Sequence, residues 1–126
     1  MSNIIVQDFK SLQYDLPIIA LSEMSAGKME CQYKSVGAQT VPSFTIGKKA
    51  VKVFMFYSAS GSNGSLWTNV DPYTGEIITG QYSYTLYNGT WTQRTDYYFI
   101  ISSTTVSVNK YMSASSLNIG LLCTVE

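Results

Sequence analysis

The amino-acid sequence predicts an all-β protein. The expected form is an antiparallel β-sandwich, jelly-roll or Ig-like, with about eight to ten strands and at most one short helix near residues 18–26. Three observations predict it. Apolar and polar residues alternate with a period of two in most segments, the signature of half-buried strands. Turn signals recur about every 8–12 residues, the spacing of sandwich strands. No long helical stretches alternate with the strands, which argues against a parallel α/β sheet. The chain has 126 residues, 45% of them hydrophobic and 13% aromatic. That is enough to bury a core without metals or disulfides, so residues 1–126 are expected to form a single sandwich domain. Residues 1–40 are more charged and less aromatic than the rest, and read either as its first part or as an arm or packing extension.

The elements follow in order. Ile4-Ile5-Val6-Gln7 reads as a short strand. Ile18, Leu21 and Met24 fall at roughly helical spacing and Gly27 can end a helix, whereas Pro17 equally suits an extended connection. Lys28 to Lys34 alternates, with Met29, Cys31 and Tyr33 on one face. Ser43-Phe44-Thr45-Ile46 alternates again, closed by Gly47. Ala50 to Tyr57 is the strongest strand: Val51, Val53, Met55 and Tyr57 share one face, and Phe54 and Phe56 share the other with Lys52. The run from Ser58 to Ser65 is a loop by composition, and Leu66 to Val70 a short strand. In Asp71-Pro72-Tyr73-Thr74-Gly75, Pro72 presets a turn and Gly75 can take positive φ at its exit. Glu76 to Thr79 resumes extended structure, and Gln81 to Tyr87 alternates cleanly. Asn88-Gly89 is the best hairpin signal, because both residues tolerate the positive φ of a type I′ turn. Return strands follow at Thr90-Trp91-Thr92, Tyr97–Ser102, Thr104–Val108 and Leu117–Val125.

The polarity of the chain is unusual. Only 13% of its residues are charged, Lys plus Arg and Asp plus Glu number 8 each, and histidine is absent. A typical soluble domain carries about 25% charge. Mean hydropathy is +0.04, so the low charge does not signal disorder. Without histidine there is no Ser-His-Asp or Cys-His catalysis and no histidine metal site. Zero net charge argues against nucleic-acid partners and against an electrostatic membrane anchor. The longest apolar stretch near the start, Leu16 to Leu21, is too short to span a bilayer. With no secretory pattern at Met1, synthesis in a cytoplasm is expected.

Cys31 and Cys123 lie far apart and both read as strand interiors. In a reducing compartment they are expected as buried small hydrophobes with free thiols, with a first-to-last-strand disulfide as the lesser alternative. Two cysteines without histidine make neither a zinc site nor a catalytic dyad. Asp71 and Asp96 could meet as a glycosidase pair, but Asp71 is already explained by its turn and nothing local marks Asp96. No calcium loop, phosphate loop or dinucleotide fingerprint occurs. The expectation is therefore a non-enzyme, with no catalytic residues, cofactor or metal.

Trp67, Tyr73, Tyr87 and Trp91 stand at or beside the expected turns, where binding surfaces of a sandwich lie. Aromatic faces beside Asn, Thr and Gln suit sugar rings, so these four are the candidate ligand or glycan site. Tryptophan is highly buried on average, and capping the ends of the core ranks ahead of that role for both Trp residues. The strands Ala50–Tyr57 and Tyr97–Ser102 carry apolar residues on both faces, although a two-layer sandwich buries one. Phe54, Phe56, Tyr98 and Ile100 are therefore the candidate interface, and a symmetric homo-oligomer is expected, with the N-terminal arm as an alternative cover.

Val51 to Tyr57 followed by Ser58-Ala59-Ser60-Gly61-Ser62, Leu66-Trp67-Thr68-Asn69, and Ser103 to Val108 leading to Leu117–Val125 give residues 43–126 a characteristic style. A cytoplasmically made, histidine-free all-β chain of this kind resembles bacteriophage virion proteins, namely head decoration proteins and the terminal β-sandwich domains of tail fibres. The resemblance carries no diagnostic motif and transfers no functional residue. It implies a virion location after synthesis in the host cytoplasm and a trimeric or otherwise symmetric assembly. Its partners would be other virion proteins and, for a fibre tip, a cell-surface glycan.

Overall fold

The structure, a computed structural model, describes residues 28–59, 64–112 and 116–126. The strands are β1 (Met29–Gly37), β2 (Ser43–Thr45), β3 (Ala50–Ala59), β4 (Ser65–Thr68), β5 (Ser83–Tyr87), β6 (Thr90–Arg94), β7 (Phe99–Ile101), β8 (Thr105–Val108) and β9 (Ser116–Val125). No helix occurs among the described residues, and the short helix expected near residues 18–26 and the strand at 4–7 lie outside them. All pairings are antiparallel. One sheet has six strands in the order β1-β9-β3-β4-β5-β6, and the other has three in the order β2-β8-β7. They face each other as a β-sandwich across one apolar core. Of the suggested arm, residues 29–37 are an ordinary edge strand of the larger sheet.

The alternation of side chains sets the layers. β9 lies between β1 and β3, pairing with β1 from Met29↔Thr124 to Gly37↔Ser116. Its Leu117, Ile119, Leu121, Cys123 and Val125 turn inward and are buried. Val53 and Met55 of β3 and Trp67 of β4 join them, and Phe44, Val106 and Val108 of the smaller sheet close the core from above. Each such side chain contributes about 1.5–3 kcal/mol on burial. The opposite face of the larger sheet carries Phe54, Phe56, Leu66, Leu86 and Leu122, by the registers Phe54↔Leu122, Phe56↔Leu66 and Leu66↔Leu86.

One departure from regular alternation is built in. The β3–β9 register shifts between Ala50 and Val53, so Ala50 is buried and Val51 is only half-buried. The buried Asn69, next after β4, bonds the same stretch of β3 from its other edge. Its Oδ1 accepts the Val53 N–H at 2.7 Å and its Nδ2 donates to the Val51 carbonyl at 3.0 Å. On the β9 side of the bulge the Lys52 N–H donates to Thr124 Oγ1 at 2.9 Å, while the Asn69 amide continues the β4 side of the ladder beyond Thr68.

The turns follow their chemistry. Asp71 Oδ1 accepts the Tyr73 N–H at 2.8 Å, the Gly75 N–H donates to the Asp71 carbonyl at 2.8 Å, and Gly75 has φ 76°. Beyond it, the expected strand at 76–79 is reduced to an isolated Val70↔Ile77 bridge. Asn88 and Gly89 take φ 50° and 76° between β5 and β6, as a type I′ turn demands. The two cysteines do not pair with each other; Cys123 is buried as expected, whereas Cys31, on the edge strand β1, is exposed. Although β1 and β9 pair, Cys31 is opposite Leu122 and Cys123 opposite Glu30, so the thiols point to opposite faces of the sheet.

Candidate functional site

The three-stranded sheet is narrower than the six-stranded one, and the uncovered inward face of β4, β5 and β6 forms a groove. It has a volume of about 250 Å³ and is lined by Tyr57, Ser65, Trp67, Thr85, Tyr87, Thr92 and Arg94. Strand register explains the set, since Tyr57↔Ser65, Trp67↔Thr85, Thr85↔Thr92 and Ser83↔Arg94 are cross-strand partners on one face. Trp67 forms the floor. Its ring lies 5.7 Å from Tyr57 and 5.1 Å, edge-on, from Tyr97, and its Nε1 donates to Ser65 Oγ at 3.0 Å.

Arg94 forms one wall. Its guanidinium sits 5.1 Å from the Trp67 ring and 5.7 Å from the Tyr97 ring. Asp96 holds it there, accepting from Nε at 2.9 Å and from Nη2 at 2.6 Å. This bidentate bond raises the Arg94 pKa and lowers that of Asp96. The groove therefore offers tyrosine faces, a row of hydroxyls and a cation already neutralised. That combination suits an uncharged ring with a C–H face and a hydroxyl rim. It contains no nucleophile next to a base.

The four aromatic candidates do not form one platform. Trp67 is only 2% exposed and belongs to β4, not to a loop tip, so its ring face is shut off by Tyr57, Tyr97 and Arg94. Tyr87 shares the inward face and is exposed at the hairpin end. Trp91 is opposite Leu86 and points outward, half-buried. Tyr73 is 74% exposed on the Asp71 turn, 6.1 Å from the ring of Tyr84, which also points outward. Burial first, and then the Asp71 carboxylate, raise the Tyr84 phenol above its usual pKa. Sequence reasoning missed Tyr57, Thr85, Thr92 and Arg94 as members of the groove. The parity of β3 and of the Asn88-Gly89 hairpin already placed them on one face.

The interface candidates also separate. Phe54 and Phe56 lie half-buried on the outer face of the larger sheet, whereas Tyr98 and Ile100 lie on the outer side of the smaller one. Asp71 and Asp96 are each occupied locally, by turn N–H groups and by Arg94. A second, apolar cleft of about 380 Å³ lies beside the bulge, between Val51, Ile77, Ile78, Phe99 and Ile101. The polar atoms of Asn69 at its edge are consumed by the β3 backbone. No helix among the described residues is long and apolar enough to cross a membrane, and no group of three or more acidic or cysteine ligands gathers among them. No family model, curated protein or solved structure matches the chain.

Proposed function

We propose that the protein is a non-enzymatic structural component of a bacteriophage particle, either a capsid decoration or a tail-fibre domain, that works in many symmetric copies. One observation carries this reading. The strands of the smaller sheet, Ser43-Phe44-Thr45, Phe99-Ile100-Ile101 and Thr105-Val106-Ser107-Val108, contain no charged residue. Their outer side presents Ser43, Thr45, Thr105 and Ser107 around Ile100, which is 50% exposed. Such a face meets a neighbour with no charge to desolvate, and many identical weak contacts then sum to firm attachment. The expected state is a homo-oligomer, a trimer in the first instance, alongside other virion proteins. Quantitative mass spectrometry of purified phage particles tests the reading. Many copies of the chain per particle are expected, and its absence from them overturns the proposal.

The groove favours a second reading, a lectin-like domain that binds a cell-surface glycan. Its observation is the exposed Tyr87 beside Tyr57 and the Thr85 and Thr92 hydroxyls. Glycan-array binding that Tyr87→Ala abolishes and Trp91→Ala leaves intact is the expected result. The reverse pattern would move the site to the outer face.

A further inference from the structure

The two edges of the smaller sheet differ. In the β2–β8 pair the Val108 N–H donates to the Pro42 carbonyl and the Ile46 N–H to the Thr104 carbonyl. Ser43 and Thr45 therefore turn their backbone groups to the free edge. Side chains of β1 close that edge: Gln32 Nε2 donates to the Thr45 carbonyl at 2.8 Å, and Lys34 Nζ donates to the Ser43 carbonyl. At the opposite edge the Ser102 N–H donates to the Thr105 carbonyl and the Asn109 N–H to the Tyr98 carbonyl. β8 thus takes up Tyr98, Ser102 and, between them, Ile100. Phe99 and Ile101 turn their N–H and C=O the other way, to an edge with which no described strand pairs. Their side chains line the apolar cleft of about 380 Å³, together with Ile77 and Ile78. The segment carrying those two isoleucines does not close the edge, because its bonds go to Val70 and Asn69.

We propose that the β7 edge and this cleft together receive an extended, uncharged peptide segment of a partner protein, which adds a strand to the smaller sheet. The N–H and C=O groups of Phe99 and Ile101 hold its backbone. Guest residues opposite those two share their face and enter the cleft, which selects aliphatic side chains there. The guest residue between them lies beside the exposed Ile100. Charge complementarity agrees, since β7, Ile77 and Ile78 carry no charge, and Lys49 and Glu126, which also line the cleft, are opposite in sign. A second folded copy does not fit. The larger sheet continues through β5 and β6 past β7, so two sandwiches sharing this edge would bring their larger sheets into the same space. A three-residue strand also falls far short of the about 800 Å² per partner that a stable pair of folded proteins buries. A tail or linker of another protein meets neither obstacle. The reading is independent of the particle location and of the Tyr87 groove proposed above.

Amide hydrogen exchange of the full-length ¹⁵N-labelled protein, read by NMR, tests it. The probe is the capped peptide acetyl-Ser-Thr-Val-Thr-Val-Thr-Ser-amide, whose two valines match the inward positions. In the free protein the Phe99 and Ile101 amides are expected to exchange faster than that of Ile100. With peptide at about ten times its Kd, both slow about tenfold while Ile100 stays as it was. The same peptide N-methylated at both valines lacks the bonding N–H groups and leaves the two amides unchanged. Ile77→Asp, at an exposed position on the cleft wall, removes the protection without altering exchange at the buried Val106 and Val108. Five results overturn the proposal: no slowing at millimolar peptide, equal slowing by the N-methylated peptide, protection confined to other strands, full protection retained in Ile77→Asp, or edge amides already protected in the free protein.

Discussion

Asn69 holds the start of β3 from its β4 side. Both of its amide groups bond backbone atoms of that strand, and Val53, whose N–H it receives, is fully buried. Asn69→Ala leaves a buried donor and acceptor without partners, which costs about 2–3 kcal/mol. A lower urea midpoint at unchanged slope is the expected readout. Cys123 gives a pH signature. Burial, with Glu30 across the strand pair adding to it, pushes its thiol from the ordinary 9.0 up to about 11. The folded state thus holds the proton more tightly than the unfolded one. Stability is full below pH 9.0 and falls as pH rises to about 11. The loss is on the order of 2 kcal/mol, and a Cys123→Ala variant should lack that component when the two stability–pH curves are subtracted. That Cys123 is a buried strand residue could be read from the sequence, whereas the role of Asn69 could not. Asn69 read as part of the short strand Leu66 to Val70, because the backbone groups its amide bonds, at Val51 and Val53, lie far back along the chain. The depth of Cys123 follows from β9 lying between two strands, which alternation alone does not reveal.

At the scale of elements, the β5–β6 hairpin owes its register to two residues. Gly89 holds φ 76° with open space around it, so a side chain there meets backbone strain and no clash. Gly89→Ala is expected to cost about 1 kcal/mol net, left-handed strain being partly offset by a stiffer unfolded chain. Thermal unfolding of the variant checks it. This element, and nearly every described strand, could be read from the alternation of residues, because local φ preferences and side-chain parity are written in adjacent positions. The grouping of aromatics could not. Trp67 and Tyr87 face inward while Tyr73 and Trp91 face outward, and that division follows from which strands pair. The same limit explains the 76–79 segment: its extended pattern is real, but it bridges to Val70 by one pair only.

For the whole molecule, the two-sided apolar strands read from the sequence call for a cover on a second face, with another copy expected and the N-terminal arm as the alternative. The outer sides of the two sheets pose different questions. One buries Leu122 completely, while the other leaves Ile100 half-exposed among hydroxyls. If copies meet through the smaller sheet, Ile100→Asp should convert the oligomer to monomer in sedimentation velocity with little change in melting temperature, since an exposed site contributes little to the fold. A melting temperature that collapses along with the oligomer would mean that assembly and folding are one event. The order of strands bears on biosynthesis as well. β9 is the last strand of the described chain, yet it is the one that joins β1 to β3. On the ribosome, β1 emerges long before β9, its neighbour among the described strands, and β3 waits with one flank unpaired. The nascent chain therefore carries two open strand edges until β9 arrives, when both can be closed together. Selection on such a chain acts on keeping those edges from meeting other nascent copies, a demand that the finished sandwich no longer displays.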